Sequence, residues 1–93
     1  VLYSGWLRKQ SHNFGRDWNR RYFILTPREL LYYRGPSHAT ARCQIPLISA
    51  SVKATSAGEK LHMRRFRILT PIREYLLEAE TVEEASQWVS EIQ

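Results

Sequence analysis

A chain of 93 residues holds one small domain around a single core, because at this length only about 60–65% of the unfolded surface can be buried. Its 43% hydrophobic and 12% aromatic content, with three Trp, five Tyr and three Phe, excludes a disordered segment. No apolar run approaches the ~20 residues of a membrane-spanning helix, no leader-like stretch opens the chain, and a lone Cys43 with three scattered His excludes an internal disulfide and metal-ligand spacing. A soluble intracellular domain is expected. The net charge of +5 is uneven, with eight basic residues against two acidic before Pro46 and six against seven from there on. Such polarisation turns a small domain toward an anionic partner: a nucleic acid, an anionic membrane or an acidic protein.

In chain order, residues 1–9 alternate around Gly5 and predict a first strand, and residues 18–25 a second, rich in aromatic and aliphatic side chains. The polar stretch between them, with Asn13 and Gly15, is a hairpin loop by composition. Thr26-Pro27-Arg28-Glu29 is a tight connection into a strand over 30–34, which Gly35-Pro36-Ser37-His38 ends. Residues 42–47, 50–54, 60–70 and 73–79 complete seven predicted strands, with turns around Ser56-Gly58 and Pro71-Ile72. No interval has room for a helical crossover, so the pairing is expected to be antiparallel and sequential.

After residue 80 the period changes. Thr81-Val82-Glu83-Glu84 has the form of a capping box, and acidic residues in a first turn suit the helix dipole. Val82, Ala85, Trp88, Val89 and Ile92 then recur at three- and four-residue spacing, with Glu83, Ser86, Gln87, Ser90 and Glu91 opposite. This amphipathic helix should cover an apolar end or edge of the sheet, with Trp88 as its anchor in the core.

Strand parity places the cations. If Leu7, Phe23 and Leu25 point inward, Lys9 shares the face of Leu7, while Asn19 and Arg21 share that of Phe23 and Leu25. An antiparallel pair then brings Lys9 and Arg21 together at one end of the sheet, beneath the 10–17 loop with His12 and Arg16. Converging cations on a concave rim suit a phosphate group, although edge cations also serve simply to keep a sheet soluble. In His62-Met63-Arg64-Arg65-Phe66-Arg67-Ile68, the same parity sends Phe66 and Ile68 inward and Arg65 and Arg67 outward, as on a solvated strand face.

Catalysis has little support. There is no Gly-x-Ser-x-Gly, no His-Glu-x-x-His and no phosphate-binding Gly-Lys-Ser/Thr loop, and no spacing assembles Ser, His and Asp. No cofactor is implied. Nucleic-acid binding would call on stacking aromatics, but Trp18, Tyr22, Phe23 and Tyr32 are spaced as strand residues that a core would use.

Gly5-Trp6-Leu7-Arg8-Lys9, Trp18-Asn19-Arg20-Arg21-Tyr22-Phe23-Ile24-Leu25, Leu31-Tyr32-Tyr33, Ile45-Pro46-Leu47 and a terminal helix with Trp88 occur in the order that closely resembles a pleckstrin homology (PH) domain, over essentially the whole chain. The resemblance implies a seven-stranded, strongly bent antiparallel barrel capped by the helix. It also implies a phosphoinositide headgroup site formed by a Lys of the first strand and a basic-x-Arg pair of the second. Lys9 matches the first element and Arg21 the last; Asn19 departs from the pattern, since it can donate to a phosphate but brings no charge. Tyr33 and Arg42 match positions that contact inositol phosphates in members preferring 3-phosphates, and Arg16 and Phe14 of the loop would add phosphate and shallow interfacial contacts. The function so implied is membrane recruitment at the cytosolic face, as one domain of a larger signalling or trafficking protein such as a GTPase regulator. The domain itself would be a monomer. The alternative within the family is a protein-interaction domain, contacting a small GTPase or another part of its own chain.

Overall fold

The computed structural model describes residues 2–11, 17–35, 43–54 and 63–93. Seven strands precede one helix: β1 (Tyr3–Gln10), β2 (Trp18–Leu25), β3 (Glu29–Tyr33), β4 (Cys43–Pro46), β5 (Ser51–Ala54), β6 (Arg65–Leu69), β7 (Glu74–Glu78) and α1 (Val82–Ile92). The strand expected over 60–70 is shorter than its pattern, because Met63 and Arg64 form a turn and 60–62 lie outside the described residues.

All pairings are antiparallel, in the order β4-β3-β2-β1-β7-β6-β5. The expectation of sequential pairing therefore fails at one place: β1 pairs with β7, and β4 and β5 occupy the two ends of the order. Six strand spacings would set those ends about 29 Å apart in a flat sheet. The connection from Pro46 to Ser51 can reach only about 17 Å, so the sheet curls until its ends approach. The turn between them closes with Ala50 N–H donating to the Leu47 carbonyl at 3.0 Å, and Ser49 takes a left-handed conformation at φ 61°.

Alternation decides what the curl encloses. Leu7, Phe23, Leu25, Leu30, Ile45, Phe66, Ile68 and Leu77 are buried, and each occupies the inward position of its strand. Thr81 caps α1 as the pattern predicts, its Oγ1 accepting from Glu84 N–H at 3.1 Å. Ala85 and Trp88 are buried, and Val89 and Ile92 pack beside them, whereas Val82 remains 38% exposed at the first turn. The helix lies against β5 and β6, and Trp88 meets Tyr3 edge-to-face at 4.7 Å between ring centroids. Gly5, opposite Phe23, lies beside this indole: a Cβ there would meet the Trp88 ring at 3.6 Å, an ordinary contact. The helix closes the end of the barrel where β1 begins, leaving the end where β1 finishes for the site.

Candidate functional site

Antiparallel pairing brings the end of β1, the start of β2, the end of β3, the start of β4 and the β6–β7 turn to this uncapped mouth. Lys9 is directly opposite Asn19, and Leu7 directly opposite Arg21, so all four share the inward face as parity predicts. Arg21 is thus the diagonal neighbour of Lys9, within reach of long side chains. Its Nη1 donates to the Arg20 carbonyl at 2.8 Å. Ser11 N–H donates to the Asp17 carbonyl at 2.7 Å, closing the base of the β1–β2 connection.

The Lys9 ammonium lies between two aromatic faces, 5.5 Å from the Tyr32 centroid and 5.7 Å from that of Tyr75. Cation–π attraction of this kind holds a charge at a defined place without neutralising it. Tyr32 is opposite Phe23 on β2 and Cys43 on β4, which makes it an inward residue. Tyr75 is buried, and that burial raises its pKa; the charge of Cys43 adds to the rise and Arg73 opposes it. Lys9, Asn19, Arg21, Tyr32, Cys43, Arg73 and Tyr75 are therefore grouped around one opening.

The register places Tyr33 on the face away from the core. It stands opposite Tyr22, whose neighbour across β1 is Trp6, and these belong to the outward face. Tyr32, beside it, is on the inward face. Parity counted from the buried Leu30 would have found this, since Leu30 and Tyr32 are two apart. Arg16 and Arg42, with His12 and Phe14, lie outside the described residues. Tyr75 and Arg73 had no signal in the sequence, because their nearness to Lys9 depends on the non-sequential β1–β7 pair.

The outward face handles its charge differently. Arg8 and Arg20 are directly opposite each other, an arrangement that repels. Arg8 is relieved by Glu78 at 3.4 Å, and Arg20 by stacking on Trp6 at 4.0 Å and by Glu80 at 3.7 Å. Glu78 also accepts from Arg65 Nε at 2.9 Å, and Arg65 in turn stacks on Trp18. Burial pushes the Glu78 carboxyl up, but the hydrogen bond from Arg65 and the charges of Arg64, Arg65 and Arg8 outweigh it and leave its pKa below the ordinary value. Arg67 pairs with Glu74 at 3.3 Å, so the basic run of β6 is an outward face satisfied by β7. Among the described residues no cluster of His, Cys, Asp and Glu could hold a metal ion, and no helix is long and apolar enough to cross a membrane.

A curled seven-stranded sheet, plugged at one end by a Trp-anchored helix and open at a cationic mouth, defines a class of small β-barrel modules. The model of the PH domain matches residues 1–93, and the chain belongs to that family. It is similar to the mouse Pleckstrin homology domain-containing family A member 6, 32% identical over 91 residues, covering 96% of this chain and 8% of that protein. It also resembles diacylglycerol kinase eta of Mesocricetus auratus, 38% identical over 88 residues, covering 95% of this chain and 7% of that protein. The chain thus spans less than a tenth of either relative. Among solved structures, the C-terminal PH domain of pleckstrin in complex with D-myo-Ins(1,2,3,4,5)P5 superposes with a TM-score of 0.84 at 30% identity, covering 100% of this chain and 95% of that one. PH domains are in general non-catalytic modules, and some belong to proteins that are enzymes.

Proposed function

We propose that this PH domain recruits its host protein to membranes by binding a phosphoinositide headgroup at the barrel mouth. The supporting observation is the inward face shared by Lys9, Asn19 and Arg21, with Lys9 held between Tyr32 and Tyr75. Two fixed cations and an amide donor at one concave end suit a phosphorylated ring, and the C-terminal PH domain of pleckstrin was solved with such a ligand. Arg16 and Arg42 are proposed to complete the cradle from the neighbouring connections. In mechanism, the polarised charge first draws the mouth to an anionic leaflet, where each basic residue near the surface contributes about 1 kcal/mol. Headgroup phosphates then engage Lys9 and Arg21, and charge-assisted hydrogen bonds fix the orientation.

The test is co-sedimentation with vesicles carrying single phosphoinositides, comparing wild type with Lys9→Ala/Arg21→Ala. Selective binding lost in the double variant is expected. Binding that follows total negative charge alone, or survives the double substitution, rejects the headgroup site.

One observation favours a second reading, a protein partner. On the outward face Trp6, Arg8, Arg20, Arg64 and Glu80 line a hollow of about 240 Å³, a mixture of aromatic and charged groups that suits a polypeptide better than a lipid. A small GTPase or another part of the host chain is the partner class. If such binding survives Lys9→Ala/Arg21→Ala but not Trp6→Ala, the two surfaces are separate.

A further inference from the structure

The hydrogen bonds of β1 alternate between its two neighbours. Ser11 N–H donates to the Asp17 carbonyl, a pair that extends the β1–β2 register, so the odd-numbered residues of β1 bond to β2. Ser4, Trp6 and Arg8 turn their main-chain N–H and C=O the other way, toward β7. β7 meets β1 at Arg8 and Lys9 and pairs no further toward the start of the strand. Continuing that register would set Glu80 opposite Trp6, but the Glu80 carbonyl accepts from Arg64 Nη1 at 3.4 Å, and the chain then turns into α1 at its Thr81 cap. Among the described residues the start of β1 is therefore an open edge, with the main-chain groups of Ser4 and Trp6 unpaired on that side.

An unpaired edge is a template for a further strand, and natural sheets keep such edges short. This one runs along a hollow of about 320 Å³ whose opposite wall is Glu80, Glu84 and Trp88. Trp6, Arg20 and Glu80 also line the outward hollow, so the two adjoin. Charge selects what the edge accepts. Glu78, Glu80, Glu83 and Glu84 are the charged residues of 78–84, and none is basic. Arg8 and Arg65 occupy Glu78, whereas Glu83 and Glu84 are exposed and form no ion pair among the described residues. The polarity that turns the mouth toward anions thus leaves this end acidic and complementary to a basic segment. The edge lies at the capped end of the barrel, beside Trp88, so a membrane held at the mouth leaves it accessible.

We propose that the start of β1 is a strand-addition site: an extended segment of a partner protein, bearing a Lys or Arg, pairs its main chain with Ser4 and Trp6 while the basic side chain meets Glu84 and Glu80. This deepens the reading above that a polypeptide docks on the outward face, on which it rests. Main-chain pairing supplies affinity, and the acidic wall supplies the choice of partner.

A display library of random dodecapeptides is selected on the wild-type domain, and the enriched peptides are synthesised and titrated calorimetrically into wild type, Ser4→Pro, Glu84→Lys and Trp6→Ala. Proline at position 4 removes the edge N–H and leaves the bonds of β1 to β2 in place, which thermal melts verify. Amide hydrogen exchange of the wild type needs no variant. In the free domain Ser4 and Trp6 should exchange rapidly beside slow Gly5 and Leu7, whose partners are Phe23 and Arg21. The expected peptides carry Lys or Arg, slow the exchange of Ser4 and Trp6, and bind about tenfold more weakly to Ser4→Pro and about threefold more weakly to Glu84→Lys. Peptides that leave Ser4 and Trp6 exchange unchanged, or bind Ser4→Pro as tightly as wild type, overturn strand addition. If those peptides are still lost in Trp6→Ala, docking on the outward face stands without it; if they are indifferent to Trp6→Ala as well, both fall. Acidic peptides that are lost in Lys9→Ala/Arg21→Ala report the mouth and overturn strand addition, and a library that yields no binder overturns both.

Discussion

Lys9 and Asn19 stand directly opposite one another on β1 and β2, facing into the mouth. Across the same two strands, one residue away and on the other face, Arg8 and Arg20 are also directly opposed. The outward pair carries two positive charges and needs Glu78, Glu80 and Trp6 to relieve them. The inward pair carries one charge, since an amide stands where the family pattern has a second cation. Asn19→Lys should therefore strengthen inositol-phosphate binding several-fold, by about 1 kcal/mol for the added cation. It should also lower the melting temperature slightly through like-charge repulsion. Calorimetry and thermal melts on the same sample check both. Unchanged affinity would mean that position 19 does not reach the ligand.

Two adjacent tyrosines give a sharper contrast. Tyr32 faces inward against Lys9 and Phe23, and Tyr33 faces outward opposite Tyr22. Tyr32→Ala is expected to reduce headgroup affinity about three- to tenfold by releasing the Lys9 ammonium, in line with the usual strength of a cation–π contact. Tyr33→Ala should leave affinity within about twofold of wild type. The reverse order of effects would refute the face assignment.

Charge-driven docking must respond to salt. The screening length falls from about 10 Å at 0.1 M to about 3 Å at 1 M. Sedimentation with anionic vesicles should decline steadily over that range, and the slope should be shallower in Lys9→Ala/Arg21→Ala. Salt-independent binding would exclude the electrostatic first step.

Glu78 couples stability to pH. Its carboxyl is buried and bonded to Arg65 at 2.9 Å, while its other partner, Arg8, is 56% exposed and well screened. Its pKa in the fold lies below the ordinary value of 4.5. The stability it contributes is therefore fully present above that value and is lost as pH falls through the lower one. Glu78→Gln should cost about 1–2 kcal/mol at pH 7, most of it from the Arg65 bond, and lower the melting temperature by about 4–8 °C for each kcal/mol. The gap between wild type and variant should shrink below about pH 4.5. A gap that stays constant down to pH 3 would contradict this.

Packing around Trp88 separates space from chemistry. A Cβ at Gly5 would lie 3.6 Å from the indole, an ordinary contact, so Gly5→Ala should change stability by less than about 1 kcal/mol. Gly5→Leu has to displace the ring that Tyr3 and Phe23 also hold, and should cost about 1–3 kcal/mol as overpacking. Trp88→Ala should cost about 3–5 kcal/mol, much of what a domain this small possesses. Denaturant melts of the three variants rank them directly.

Much of this architecture can be read from local periodicity. Phe23 and Leu25 announce the face that Asn19 and Arg21 share, Leu7 does so for Lys9, and Phe66 and Ile68 send Arg65 and Arg67 outward. Thr81 and the three- and four-residue spacing from Ala85 to Ile92 announce the helix. Side chains alternate every two residues in a strand and recur about every 3.6 in a helix, so facing follows from the sequence wherever an apolar residue sets the phase. In β3 that phase is set by the buried Leu30, which puts Tyr32 on the inward face and Tyr33 on the outward one.

Contacts that depend on closure are of another kind. No spacing in the chain says that β1 pairs with β7, because that pairing joins the first and last strands of the sequence in the middle of the sheet. Tyr75 beside Lys9 and the Arg8–Glu78–Arg65 group both depend on it. Local sequence thus assigned the facing of Lys9, Asn19 and Arg21 as a matter of strand geometry. Their company at the mouth came from folding, because hydrophobic burial rolled the sheet and the β1–β7 pair set Tyr75 beside Lys9.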